Sequence, residues 1–186
     1  IITAGGPTTF CAGGSVTLSA PTSASYLWSN SATTQNITVN TSGTYTVQVT
    51  NAAGCQSSAS APVTVTVNAL PPTPTITAGG PITFCAGGSV TLSAPTSTTY
   101  LWSNNANTQN ITVSSTGTYT VQVGDANGCL SNSSAPVVVT VNPLPSTPTI
   151  TAGGPTTFCA GGSVTLTSSS GTSYIWSSGQ TSQSIN

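Results

Sequence analysis

Five cysteines, one aspartate and five tyrosines make up the titratable side chains of this 186-residue chain. They are Cys11, Cys55, Cys85, Cys129 and Cys159, then Asp125, then Tyr26, Tyr45, Tyr100, Tyr119 and Tyr174. There is no His, Lys, Arg or Glu. General acid–base catalysis works through such side chains when their pKa values are tuned by neighbouring charge. Hydroxyls are abundant, with 37 Thr and 29 Ser. No His or Lys is present to turn a Ser into a nucleophile. Zinc sites need clustered Cys or His, and no Cys-x-x-Cys spacing occurs. Calcium sites need several carboxylates, and Asp125 stands alone. The expectation is a non-catalytic protein with no cofactor and no bound metal.

The same composition removes several partners. Neutralising phosphates takes Lys or Arg, so no nucleic acid is expected. A polybasic membrane-surface segment is absent for the same reason. No run of 18 apolar residues occurs, so no membrane-spanning helix is expected. No signal peptide is visible, and Ile1 opens inside a repeat, which reads as a mature or excised segment. Disorder is a poor fit, because 36% of the residues are hydrophobic and the mean hydropathy is +0.17.

The cysteines are placed by an internal repeat. Cys11, Cys85 and Cys159 are 74 residues apart, and so are Cys55 and Cys129. Trp28, Trp102 and Trp176 keep the same spacing, as does the Ile-Thr-Ala-Gly-Gly-Pro string at Ile2, Ile76 and Ile150. Residues 2–75 and 76–149 are identical at 57 of 74 positions. Repeat 1 is assigned to 1–70, repeat 2 to 71–144, and an incomplete repeat 3 to 145–186. The boundaries lie in Asn68–Thr75 and Asn142–Thr149. Prolines at this density favour stiff, extended connectors, so a rod-like array of small domains is expected.

Within a repeat the apolar period is two. Val16 and Leu18 alternate with Ser and Thr, as do Tyr45, Val47 and Val49, and Val63, Val65 and Val67. That is the half-buried strand pattern. Gly-containing turns lie between the runs, at Ala12–Gly14, Ser42–Gly43 and Ala53–Gly54. Strands are expected at Thr73–Ala78 (in repeat 2), Ser15–Ser19, Ser25–Ser29, Asn36–Val39, Thr44–Val49 and Val63–Val67, with a short return strand at Ala32–Gln35. The fold class is therefore all-β, tandem sandwiches whose feature order resembles the immunoglobulin-like fold. Trp28, Trp102 and Trp176 are assigned to the cores, with Tyr45 and Tyr119 at the corner where the sixth strand starts. In antibody domains a Cys follows that Tyr by two; here Val47 stands there, so aliphatic packing closes the core.

The ordered set Phe10–Leu18, Tyr26–Asn30, Asn36–Val39, Gly43–Val49 and Ala53–Cys55, with Gly124–Cys129 in the second copy, resembles the Ig-like and PKD-like tandem repeats of large secreted surface proteins of Bacteroidota, gliding-motility adhesins among them. The resemblance covers nearly the whole chain. It implies export by the type IX system, display at the cell surface, and a stalk, adhesin or filament role. Related repeats carry scattered Asp and Lys. This chain does not, so no calcium role is carried over.

In a secreted setting two Cys per repeat read as disulfides. Cys11 precedes the second strand and Cys55 follows the sixth. In a seven-strand sandwich those strands run the same way, which puts the two Cys at opposite ends. A strand of about six residues spans roughly 20 Å, whereas a disulfide needs Cα atoms within about 7 Å. Cys11 is therefore expected to meet Cys129 of the next repeat. Without the return strand at Ala32–Gln35 the parity would flip, favouring Cys11 with Cys55 and Cys85 with Cys129.

The expected function is a structural segment of an extracellular adhesin or filament stalk, its partners being neighbouring repeats and other copies in a fibre. The alternative is a module that binds a glycan or surface ligand through the loops Pro21–Ser25 and Asn51–Ser60. Those loops lack exposed aromatics and charge.

Overall fold

The computed structural model describes residues 1–186. The chain is all-β. It divides into two compact units, Ile1–Asn142 and Pro143–Asn186. The first holds repeats 1 and 2, each with its own apolar cluster.

Repeat 1 contains β1 (Thr3–Ala4), β2 (Thr9–Cys11), β3 (Val16–Ser19), β4 (Ser25–Trp28), β5 (Asn36–Val39), β6 (Gly43–Tyr45), β7 (Val47–Thr50) and β8 (Val63–Asn68). One sheet has the order β1-β3-β5, all antiparallel. In the other layer β8 lies between β2, which runs parallel to it, and antiparallel β6. β7 continues β6 past Thr46 and pairs antiparallel with β4. Alternation decides what faces inward: β3 buries Val16 and Leu18, and β5 buries Ile37 and Val39. Trp28, Tyr45, Val47 and Val65 come from the other layer. Each fully buried aliphatic side chain contributes about 1.5–3 kcal/mol. Strand for strand this is an immunoglobulin-like sandwich that lacks its fourth strand.

Repeat 2 reproduces the plan with β9 (Thr77–Ala78), β10 (Thr83–Cys85), β11 (Val90–Ser93), β12 (Thr99–Trp102), β13 (Asn110–Val113), β14 (Gly117–Tyr119), β15 (Val121–Gly124) and β16 (Val137–Asn142). The expected strand at Thr73–Ala78 shrinks to β9, because Pro74 has no N–H to donate to a ladder.

The return strand expected at Ala32–Gln35 does not form. The segment still carries the chain back. Trp28 N donates to Ala32 O at 2.9 Å, and Ala20 N to Gln35 O at 2.9 Å. The indole N–H of Trp28 donates to Thr34 O at 2.8 Å. These bonds run to the ends of β3 and β4 and to a side chain, so no ladder is left for the segment to join. The expected flip in parity fails for this reason: strand direction depends on the reversal of the chain, not on whether the reversal is a strand.

The second unit is one sheet, β17 (Ile150–Ala152), β18 (Leu166–Ser168) and β19 (Ser184–Ile185), ordered β17-β18-β19. It corresponds to β9-β11-β13. No residue of this unit is buried. Trp176, assigned to a core from the sequence, is only half-buried, and Ile175 beside it is 88% exposed. The cause is direct: Trp102 is covered by residues of β14, β15 and β16, and nothing in residues 143–186 corresponds to those strands.

Candidate functional site

The one covalent cross-link is the disulfide between Cys11 and Cys129, with Cα atoms 5.6 Å apart and a sequence separation of 118. Cys11 is the last residue of β2 and sits opposite Asn68 in the parallel pair. Ala12 N donates to Asn68 O at 2.8 Å, tying the end of β2 to the start of the Pro-rich connector. A tight turn follows, closed by Gly14 N to Cys11 O at 3.0 Å. Gly13 takes φ 94° there, a left-handed value that costs a residue with a Cβ. At Gly14 a Cβ would stand 3.0 Å from the Phe10 ring. The string Phe-Cys-Ala-Gly-Gly is thus a device for presenting Cys11 at the end of repeat 1.

Cys129 is presented from the loop after β15. Asp125 Oδ1 accepts N–H groups from Asn127 and Cys129, both at 2.9 Å. Gly128 completes the turn at φ 79°. The N–H of Cys129 is the main cause that holds the Asp125 carboxyl below its ordinary pKa; desolvation opposes it, and the hydrogen bonds from Asn127 add to the lowering. The only charged side chain is therefore part of the scaffold of the disulfide.

Cys129 is 0% exposed, and nearby Ser131 and Ser134 are buried. Their counterparts in repeat 1 differ: Cys55 and Ser57 are exposed and Ser60 is half-buried. Cys55, Cys85 and Cys159 are free thiols. Cys11 and Cys55 flank opposite ends of repeat 1, one beside Asn68 at the end of β8, the other hydrogen-bonded to Asn51 after β7. The alternative pairs Cys11 with Cys55 and Cys85 with Cys129 are thereby excluded.

Of the other singled-out residues, Trp28, Trp102, Tyr45 and Tyr119 are buried. Tyr45 Oη donates to Thr41 O at 3.1 Å, the backward corner bond of such sandwiches. Two serine pairs escaped notice because they lie in segments read as loops. Ser57 N and Ser60 N donate to Val49 O and Val47 O, both at 2.9 Å. Their hydroxyls accept from Val49 N and Val47 N, both at 3.1 Å. Ser131 and Ser134 do the same for Val123 and Val121. Each pair stands in for a missing strand along β7 or β15. The signal was available: Ser-x-x-Ser is kept in both copies, while Gln56, Ser58 and Ala59 become Leu130, Asn132 and Ser133.

No three of the Cys and Asp side chains lie together as metal ligands would. An open groove of about 550 Å³ on repeat 2 is lined by Pro71, Pro72, Pro74, Pro95, Ser97 and Val123, among others, none of them charged or aromatic. In the second unit a groove of about 380 Å³ exposes Tyr174 and Trp176. Those rings are the counterparts of Tyr100 and Trp102, left uncovered. No helix is long and apolar enough to cross a membrane.

No family model matches the chain, and no curated protein matches it. Among solved structures it is similar to the human OSCAR ligand-binding domain, at 18% identity over 74% of this chain and 96% of that one, with a TM-score of 0.31. At that overlap the fold assignment rests on the strand pairing of the chain itself.

Proposed function

We propose that the chain is a structural segment of an extracellular adhesin or filament shaft, in which immunoglobulin-like repeats stand in line as mechanical links. The observation that carries this is the Cys11–Cys129 bond. It joins two domains that each have their own core, at a junction already spanned by a Pro-rich connector. Neither core needs the bond to close, so its use is at the junction. Disulfides persist in oxidising compartments, which supports display outside the cell. The role is non-catalytic, since the single carboxylate is engaged with the backbone of its own loop.

A module binding a glycan or surface ligand is the second reading. The Asn51–Ser60 loop proposed for it uses Ser57 and Ser60 to hold β7, which leaves fewer free polar groups for a ligand.

Stretching single molecules of the full chain tests the mechanical role. With the bond intact, load passes from Cys11 to Cys129 and bypasses the loop between them. Reduction adds about 400 Å of extension, from 118 residues at roughly 3.3–3.6 Å each. Equal extension before and after reduction refutes a load-bearing junction.

A further inference from the structure

We infer that Asn127 is a site of spontaneous modification, converted to aspartate and isoaspartate with water as the only co-reactant, and that this conversion loosens the loop that presents Cys129. The inference concerns the loop itself and holds whether or not the chain is part of a shaft.

Asn127 is the only asparagine followed by glycine. The amide carbon of an asparagine side chain is open to attack by the backbone nitrogen of the next residue. What obstructs the attack is the side chain of that next residue, and Gly128 has none. Even a Cβ placed on Gly128 would meet nothing within 4 Å, so there is room for a ring to close. Ala126, Asn127 and Gly128 are all exposed. The attacking nitrogen has one hydrogen bond, from Gly128 N to Asp125 O at 3.2 Å, at the long end of the N–H···O range. Exposed turns of this kind open at low cost in free energy.

The rest of the chain supplies the contrast. Asn30 and Asn132 are exposed but precede Ser, and Asn51 precedes Ala. The matching loop of repeat 1 has Ala53 where Asn127 stands. The two loops are held alike and differ in this chemistry.

In the first step the bond from Gly128 N to Asn127 Cγ forms and the Cγ–Nδ2 bond breaks. The Gly128 amide proton leaves with Nδ2 as ammonia. The cyclic imide then takes up one water. Opening at Cγ gives aspartate. Opening at the main-chain carbonyl carbon gives isoaspartate, with the backbone rerouted through the side chain. Nothing is oxidised or reduced.

The consequence falls on Asp125. Asn127 Nδ2 donates to Asp125 Oδ2 at 3.3 Å. In either product that donor is gone, and a second carboxylate stands beside the first. It adds one negative charge to a chain of formal net charge −1, and like charges this close repel. Asp125 Oδ1 is also the acceptor for Asn127 N and Cys129 N. Isoaspartate inserts an extra main-chain atom between those two N–H groups. The hold on Cys129, which is 0% exposed, therefore weakens, and a reducing thiol gains access to its sulfur.

The test keeps the full chain in mildly alkaline buffer at physiological temperature and maps it at intervals by mass. Chymotrypsin serves, since the chain has no Lys or Arg for trypsin to cut. The expected result is that the acid form appears first in the peptide holding Asn127, with isoaspartate in excess, while Asn30, Asn51 and Asn132 keep their amides. Asn127→Gln, which would have to close a larger ring, should yield no early acidic species on anion exchange. The acidic species of the parent, separated and treated with dithiothreitol, should lose Cys11–Cys129 about fivefold faster than the unmodified chain, the worth of one hydrogen bond. An Asn127 that keeps its amide, or loses it no faster than Asn30 or Asn132, overturns the inference. Conversion with an unchanged rate of reduction overturns the link to Cys129.

Discussion

Asn51 and Asp125 stand 74 residues apart and hold their loops with the same two hydrogen bonds, each Oδ1 accepting from the N–H two and four residues on. A neutral amide and a carboxylate are interchangeable in this geometry, because the acceptor oxygen does the holding.

Asp125→Asn is therefore expected to keep both hydrogen bonds and to lower the melting temperature at neutral pH only by the small charge-linked part. In the parent, the Asp125 pKa is lowered on folding. Its stabilisation is complete above the ordinary carboxylate value of about 3.9 and is lost as pH falls through the folded value. Thermal melts between acid and neutral pH should show a small acid-side decline in the parent and none in the variant. A decline that survives the substitution contradicts the assignment.

The serine pairs predict a contrast. Ser131→Ala strands the N–H of Val123, which is buried, and should cost about 1–3 kcal/mol. Ser57→Ala frees the N–H of Val49 where Ser57 is exposed and water is within reach, so the cost should be smaller. Urea unfolding of the two variants measures the difference. Equal losses would mean that the hydroxyls do not act as strand substitutes of unequal burial.

The three tryptophans should separate in solution. Trp28 and Trp102 are 2% and 1% exposed, while Trp176 is half-buried. Iodide should quench one class of emission and spare the other, and Trp176→Phe should remove the quenchable class. Trp102→Ala should cost about 3–5 kcal/mol. A quenchable fraction that persists in Trp176→Phe places one of the other indoles in water.

Much of this was readable from the residues. Alternation places Val16, Leu18, Ile37, Val39 and Val65 inside, because strand side chains alternate faces whatever the tertiary detail. Strand direction plus the reach of a disulfide separates Cys11 from Cys55. The Ala32–Gln35 segment was misjudged since nothing in its sequence says that its partners are a Trp28 indole and the end of β3. Ser131 and Ser134 were missed for a related reason: a hydroxyl standing in for a strand has no period. Trp176 was misplaced because a core position is defined by what covers it, and its covering strands are not among residues 143–186.

The covalent bridge between Cys11 and Cys129 spans 118 residues, more than the 74 of one repeat. A single backbone cut anywhere from Ala12 to Gly128 opens a closed ring and does not part the molecule, since both fragments stay tied at the sulfurs. Tolerance to proteolysis follows from that arithmetic alone: two cuts within the ring are needed before any piece of it can leave.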